Sequence, residues 1–222
     1  MLGQIVEIAL QPGVHEPNAT EIGGLPFVFD LSVAASEVRI TGEPGASIRV
    51  QDASRLFALP AGAPRVTLRG LTLSSAGTHV SDGELVIESC RFEGCEAADG
   101  GAIKVSGGVL SVRDTFFVGN RADNGGAVRV SGGLATFASC TFQGNEATTG
   151  GALFIDGSAE VTLSDGTLLS GNTAPGSASA WLVEGSSLRY VLPAPIGRWV
   201  ESYGQASVGL LAAGGGLSAD FP

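Results

Sequence analysis

The stretch FVGNRADNGGAV (Phe117–Val128) decides the fold, because close copies of it stand on either side at one fixed distance. FQGNEATTGGAL (Phe142–Leu153) follows 25 residues later, and FEGCEAADGGAI (Phe92–Ile103) precedes it by 25. Phe92 thus falls on Phe117 and Phe142, Gly94 on Gly119 and Gly144, Ala97 on Ala122 and Ala147, and Asn120 on Asn145. A looser copy, LSGN (Leu169–Asn172), arrives about two residues late. Self-similarity at such a period marks a solenoid, in which each coil buries its face against its neighbours.

Three short strand patterns fill each unit. Leu85 and Ile87 alternate with polar neighbours, then Cys90 and Phe92, then Ile103 and Val105. Period-two alternation means one buried face. Gly, Asn and Asp separate the patterns and leave no room for a helix. The expected architecture is all-β, a right-handed parallel β-helix with about 25 residues per coil and coils about 4.8 Å apart.

Stacking turns sequence columns into ladders. Phe92, Phe117 and Phe142 are expected to stack inside. Asn120 and Asn145 are placed in a turn, where side-chain amides can bond to the next coil. Gly101, Gly126 and Gly151, each preceded by a second glycine, suit a turn that needs positive φ or close backbone approach. Glu96, Arg121 and Glu146 form an exposed column of alternating charge.

The β-helix is expected to span residues 1–192, with irregular coils over 1–82, regular repeats over 83–175 and a last coil over 176–192. Upstream, Ile5–Leu10, Phe27–Leu31, Val38–Ile40, Ile48–Val50, Leu56–Leu59 and Val66–Leu73 are strand-like and separated by Pro and Gly. Pro193–Pro195 interrupts the pattern, and residues 193–222 read as a tail or cap.

The two tetrapeptides resemble the GGA[ILV] and FxxN motifs of the chlamydial polymorphic outer membrane proteins. GGAI, GGAV and GGAL alternate in the family's order with FVGN (Phe117–Asn120) and FQGN (Phe142–Asn145), over residues 83–175. The first copy departs from the pattern at Cys95, the fourth at Leu169. The resemblance implies a surface-displayed or secreted passenger region with an adhesive role, its partner an unidentified surface protein or glycan. Similar repeats occur in large surface proteins of unicellular eukaryotes, and SLRYVLPAPIGRWV looks like the exit from such a region.

Composition narrows the alternatives. Hydrophobic residues make up 44% of the 222 residues, too many for glycine-rich disorder despite 34 glycines. A net charge of −10 argues against nucleic acid and against docking on an anionic membrane. No run reaches the roughly 18 apolar residues of a membrane span. The start, MLGQIVEIALQPGVHEPN, lacks a basic n-region and is interrupted by Glu7, so it does not read as a signal peptide. The chain is either intracellular or a piece of a longer one.

Catalytic and metal motifs are not expected. Among Asp99, Asp114, Asp123, Asp156 and Asp165, no two share a column in adjacent coils. Asp99 and Asp123 read as turn residues, and Asp114 stands at the bend where other coils have Ser89 and Ser139. His15 and His79 are isolated, and no cofactor or metal is expected. Cys90 and Cys140 share a column two coils apart with Thr115 between them, about 9.6 Å and beyond a disulfide's reach. Outward strand positions include Phe116, Val118, Val109, Leu134 and Phe154, of which Phe116 and Val118 are the candidate anchors for a partner.

The sequence thus reads as a non-enzymatic scaffold, with a polysaccharide lyase or hydrolase and a plain structural spacer as alternatives. Circular dichroism of the purified chain is expected to show strand with negligible helix. A helical content above about a fifth, approaching ordinary globular domains, would overturn the β-helix.

Overall fold

The computed structural model describes residues 4–16, 35–49, 56–75, 77–175, 181–183, 187–192, 208–212 and 215–219, and every regular element among them is a strand. The first coil contributes β1 (Gln4–Leu10) and β2 (Gly13–His15). The second holds β3 (Ala35–Gly42), β4 (Ala46–Arg49) and β5 (Phe57–Leu59), and the third β6 (Arg65–Arg69), β7 (Thr72–Ser74) and β8 (Thr78–Val80). The regular coils follow. They hold β9 (Glu84–Glu88), β10 (Arg91–Glu93) and β11 (Ile103–Val105), then β12 (Val109–Arg113), β13 (Phe116–Val118), β14 (Arg121–Asn124) and β15 (Val128–Val130). Next come β16 (Leu134–Ala138), β17 (Thr141–Gln143), β18 (Glu146–Thr149) and β19 (Leu153–Ile155). β20 (Glu160–Ser164), β21 (Leu168–Ser170) and β22 (Trp181–Val183) form a further coil, before β23 (Ser187–Leu192), β24 (Val208–Ala212) and β25 (Gly215–Ala219).

These strands stack into three faces. A long sheet runs β1-β3-β6-β9-β12-β16-β20-β23-β24-β25. A phenylalanine sheet runs β2-β4-β7-β10-β13-β17-β21, and a third sheet, which follows the GGA motif, runs β22-β19-β15-β11-β8-β5. β14 and β18 pair at the corner between the second and third faces. Coil pairs with coil in parallel, as a β-helix requires; β25 alone turns back antiparallel on β24. Phe27–Leu31 and Pro193–Pro195 lie outside the described residues. The expected tail continues the long sheet, since β24 pairs in parallel with β23.

Coil length varies, from 19 residues between Val66 and Leu85 to 28 between Val38 and Val66. Leu85, Leu110 and Ala135 follow one another at the expected 25-residue step. Val66 precedes Leu85 by only 19 residues, because three residues separate Ser74 from Thr78 where nine, Gly94–Ala102, separate Glu93 from Ile103 in the next coil. That corner absorbs the difference, and the long sheet stays in register.

Inside, the phenylalanine column forms as expected. Phe92 and Phe117 stack with centroids 5.2 Å apart and planes within 9°, Phe117 and Phe142 at 4.6 Å and 6°. Phe137 arrives from the long sheet and meets Phe142 edge-on at 5.4 Å. Such contacts add to the burial of three fully enclosed rings.

The asparagine column is longer than expected, because Asn172 joins it. Asn120 Nδ2 donates to Asn145 Oδ1 at 2.9 Å, and Asn145 Nδ2 to Asn172 Oδ1 at 2.8 Å. The same oxygens accept the backbone N–H groups of Asn120 and Asn145, both at 3.0 Å. The same amide nitrogens donate to the carbonyls of Phe92, Phe117 and Phe142, the last from Asn172. Cys95 takes the first rung: its N–H donates to Asn120 Oδ1 and its thiol reaches the Leu73 carbonyl at 3.6 Å.

The glycine pair divides the two requirements. Gly125 has φ +66°, and a Cβ there would strike the Val128 carbonyl. Gly126 has no unusual φ, but its Cβ would strike the carbonyl of Gly151 in the next coil. Ser89, Asp114, Ser139 and Asp165 occupy a left-handed bend before the phenylalanine strands, which explains the small polar residues there.

Inside and outside can be tested on adjacent residues. Phe117 is fully buried and Phe116 is 48% exposed. Phe117→Ala is expected to lower unfolding free energy by about 3–5 kcal/mol and Phe116→Ala by less than about 1 kcal/mol, read from urea midpoints. Equal losses would refute the assignment.

Candidate functional site

Phe116 lies on the outer side of β13, between Arg91 and Thr141 on the adjacent rungs. It borders a shallow groove of about 240 Å³ with Thr72, Arg91 and Asp114. Val118 points the same way but is half-buried. The expected anchor pair is therefore one exposed ring in polar surroundings, not an apolar face. Val109 and Leu134 are exposed on adjacent strands of the long sheet.

Phe154 corrects the outward set. It alternates outward from Leu153 and Ile155, yet only 6% of it is exposed. The Arg129 guanidinium lies over its ring, 5.4 Å from the centroid. It offers no surface to a partner.

Arg129 is the centre of a network that sequence reasoning missed. Lys104 and Arg129 are outward on adjacent rungs of the third sheet, with His79 one rung before and Phe154 one after. Arg129 pairs with Asp99 through Nη1, and with Asp156 at 2.7 Å through Nη2. Lys104 Nζ is 2.9 Å from Asp99, and Asn124 Nδ2 donates to the same carboxylate at 3.1 Å. Asp99 is thus more than the turn residue it resembled: it fastens one corner to two strands. The signal in sequence was the 25-residue shift itself, which lays Lys104 on Arg129 in an acidic chain.

Charge states follow from these contacts. Burial pushes the Asp99 carboxyl up, but hydrogen bonds from Lys104, Asn124 and Arg129 outweigh it and hold it well below the usual carboxylate range. Such a group stays ionised at neutral pH and cannot act as a general acid there. The Arg129 guanidinium is held protonated chiefly by its hydrogen bonds to Asp156. Burial pushes the Cys90 thiol up to about 11 and the Cys140 thiol up to about 12, so neither is a nucleophile near neutrality. No disulfide joins them; Thr115 Oγ1 accepts the Cys90 N–H between them.

A larger concavity than the one beside Phe116 lies elsewhere, on the corner formed by β14 and β18. A groove of about 550 Å³ is lined there by parts of four coils, the last contributing Pro175. Glu96, Arg121 and Glu146 stack along one side, as the charge column predicted. Asp123 and Thr148 stand two residues along, and Ala97, Ala122 and Ala147 come between. Arg121 meets Glu146 at 3.6 Å, both well exposed, an arrangement worth no more than about 1 kcal/mol.

Among the described residues there is no group of three or more metal-ligating side chains, and no helix long and apolar enough to cross a membrane. Comparison with family models, with curated proteins and with solved structures gives no match. Fold and site are therefore read from the chain's own repeats.

The Asp99 network gives a pH test. Because the folded carboxyl is held below its unfolded value, its contribution is complete above about pH 4 and is lost as the pH falls toward the folded value. Asp99→Asn is expected to cost on the order of 1 kcal/mol at pH 7, with the gap to the parent protein narrowing below about pH 4. Urea midpoints at pH 7, 5 and 3 measure it. A gap of the same size at pH 3 would show that the charge of Asp99 contributes nothing.

Proposed function

We propose that the chain is a non-enzymatic β-helical scaffold, the repeat region of a surface-displayed or secreted adhesin-like protein. The observation that carries this reading is how the two tetrapeptides are used. The glycines of GGA and the Phe and Asn of FxxN, the residues that resemble the polymorphic outer membrane protein repeats, are the residues that join coil to coil. Motif and mechanical role coincide, which supports a repeat region of that kind. The outer positions are left to vary, and an extended partner, protein or glycan, suits faces that repeat about every 4.8 Å.

One observation favours a second reading, a carbohydrate-active enzyme. Asp99 and Asp156 flank Arg129 and Lys104 on an outer face, and such a mixture can bind or process a sugar. The network weighs against it, since Asp99 is committed to three donors and is held ionised. A structural spacer without any ligand is the third reading.

Pectin, alginate and related polymers, incubated with the purified chain with and without Ca²⁺, separate these readings by ultraviolet absorbance and reducing ends. No turnover is expected. Binding to cells or glycans that falls severalfold on Phe116→Ser would support the adhesive role through that exposed ring. Sustained product formation that disappears in Asp99→Asn or Asp156→Asn would replace the scaffold reading with the enzyme.

A further inference from the structure

We propose that the corner groove over β14 and β18 binds an extended, cationic peptide segment of a partner protein. This deepens the scaffold reading and rests on it, but it concerns a different surface from Phe116.

Shape comes first. At about 550 Å³ the groove falls within the roughly 300–1,000 Å³ typical of ligand sites. Its walls are two columns of residues that climb one rung per coil. Between them Ala97, Ala122 and Ala147 carry methyl groups only, those of Ala122 and Ala147 buried, so no side chain narrows the channel. The result is a trough that runs along the helix axis and accommodates a chain rather than a compact molecule.

Charge selects the ligand class. Glu96, Asp123 and Glu146 line the groove against Arg121 as its cation. Among the described residues Arg121 forms its ion pair with Glu146 in the open, and a competing ammonium or guanidinium can displace it at little cost. The whole chain carries −10, so a basic segment is drawn toward it as well. No aromatic side chain is among the lining residues, so the platform on which a sugar ring stacks is missing from this groove. Carboxylates on both walls, Glu96 and Glu146 on one and Asp123 on the other, suit the charged heads of Lys or Arg side chains.

The rung spacing sets a pattern. Glu96 and Glu146 are two coils apart, about 9.6 Å. A peptide in the extended polyproline II conformation advances about 3.1 Å per residue with three residues per turn, so cations three residues apart share one face and meet both carboxylates together.

Hexalysine is the probe, titrated by calorimetry at low ionic strength, with hexaglutamate as its opposite. Saturable binding of hexalysine is expected, with none of hexaglutamate. The double variant Glu96→Gln with Glu146→Gln is expected to weaken it at least tenfold. Ala98→Trp, which fills the groove from an exposed position and leaves every charge in place, is expected to weaken it similarly. Arg121→Ala is expected to strengthen it severalfold. The control pair Glu84→Gln with Glu160→Gln, on the long sheet, removes the same charge and is expected to change affinity less than twofold. Equal loss in the groove and control pairs, full binding in Ala98→Trp, or no saturable binding would each overturn the groove site. Circular dichroism of each variant separates lost binding from lost fold. Polysaccharide turnover is not measured in this titration, so a failure here leaves the scaffold reading to its own assay.

Discussion

The amide of Asn145 ties three coils together. Its oxygen accepts from the backbone and side chain of Asn120 in the coil before. Its nitrogen donates back to the Phe117 carbonyl and forward to Asn172. A fully buried amide is costly unless it is satisfied. Asp lacks the donor, and Gln is longer by a methylene. Asn alone fits, and only if successive coils are offset by one rung with no slip. The phenylalanine column follows, because each ring stands three residues before its asparagine. The close glycine contacts belong to the same constraint: a side chain at Gly126 would hold the coils apart and stretch every hydrogen bond in the ladder.

The step of the solenoid was legible because this constraint repeats as residue identity. Where identity is replaced by chemistry, legibility falls. The 25-residue shift lays Cys95 on the asparagine column, but does not say that its N–H and thiol use the positions an amide would use. The 19-residue third coil was not legible either, since strand patterns do not say whether a corner bulges or cuts straight across. Phe154 looked outward by alternation, and it is; its cover by Arg129 depends on a side chain from the preceding coil. The Asp99–Arg129 contact joins residues 30 apart, more than one period, so a search for carboxylates in one column could not reveal it.

The residues that repeat and those that vary have separate duties. Glycine and alanine of GGA and the phenylalanine of FxxN recur in all three close copies and point into the stack. Positions 96, 121 and 146 read Glu, Arg and Glu, and positions 104, 129 and 154 read Lys, Arg and Phe. Positions 91, 116 and 141 read Arg, Phe and Thr. All three sets lie on outer columns, where exchange of a side chain costs little unless it belongs to a network.

Coil stacking and surface chemistry are therefore nearly independent in energy. The ladder residues contribute their stabilisation to nearest-neighbour coils, as in any quasi-one-dimensional protein. Most outer residues contribute little to it: the exposed Arg121–Glu146 pair can be rearranged without loss of register, because Ala122 and Ala147 still pair beneath it. The Asp99–Lys104–Arg129–Asp156 network is the exception, since it fastens one face to its corner and links three successive coils through Arg129. A change of partner is consequently easier to accommodate at the corner groove or beside Phe116 than on the third sheet, where a new side chain at position 129 would take the cation from the partly buried Asp156.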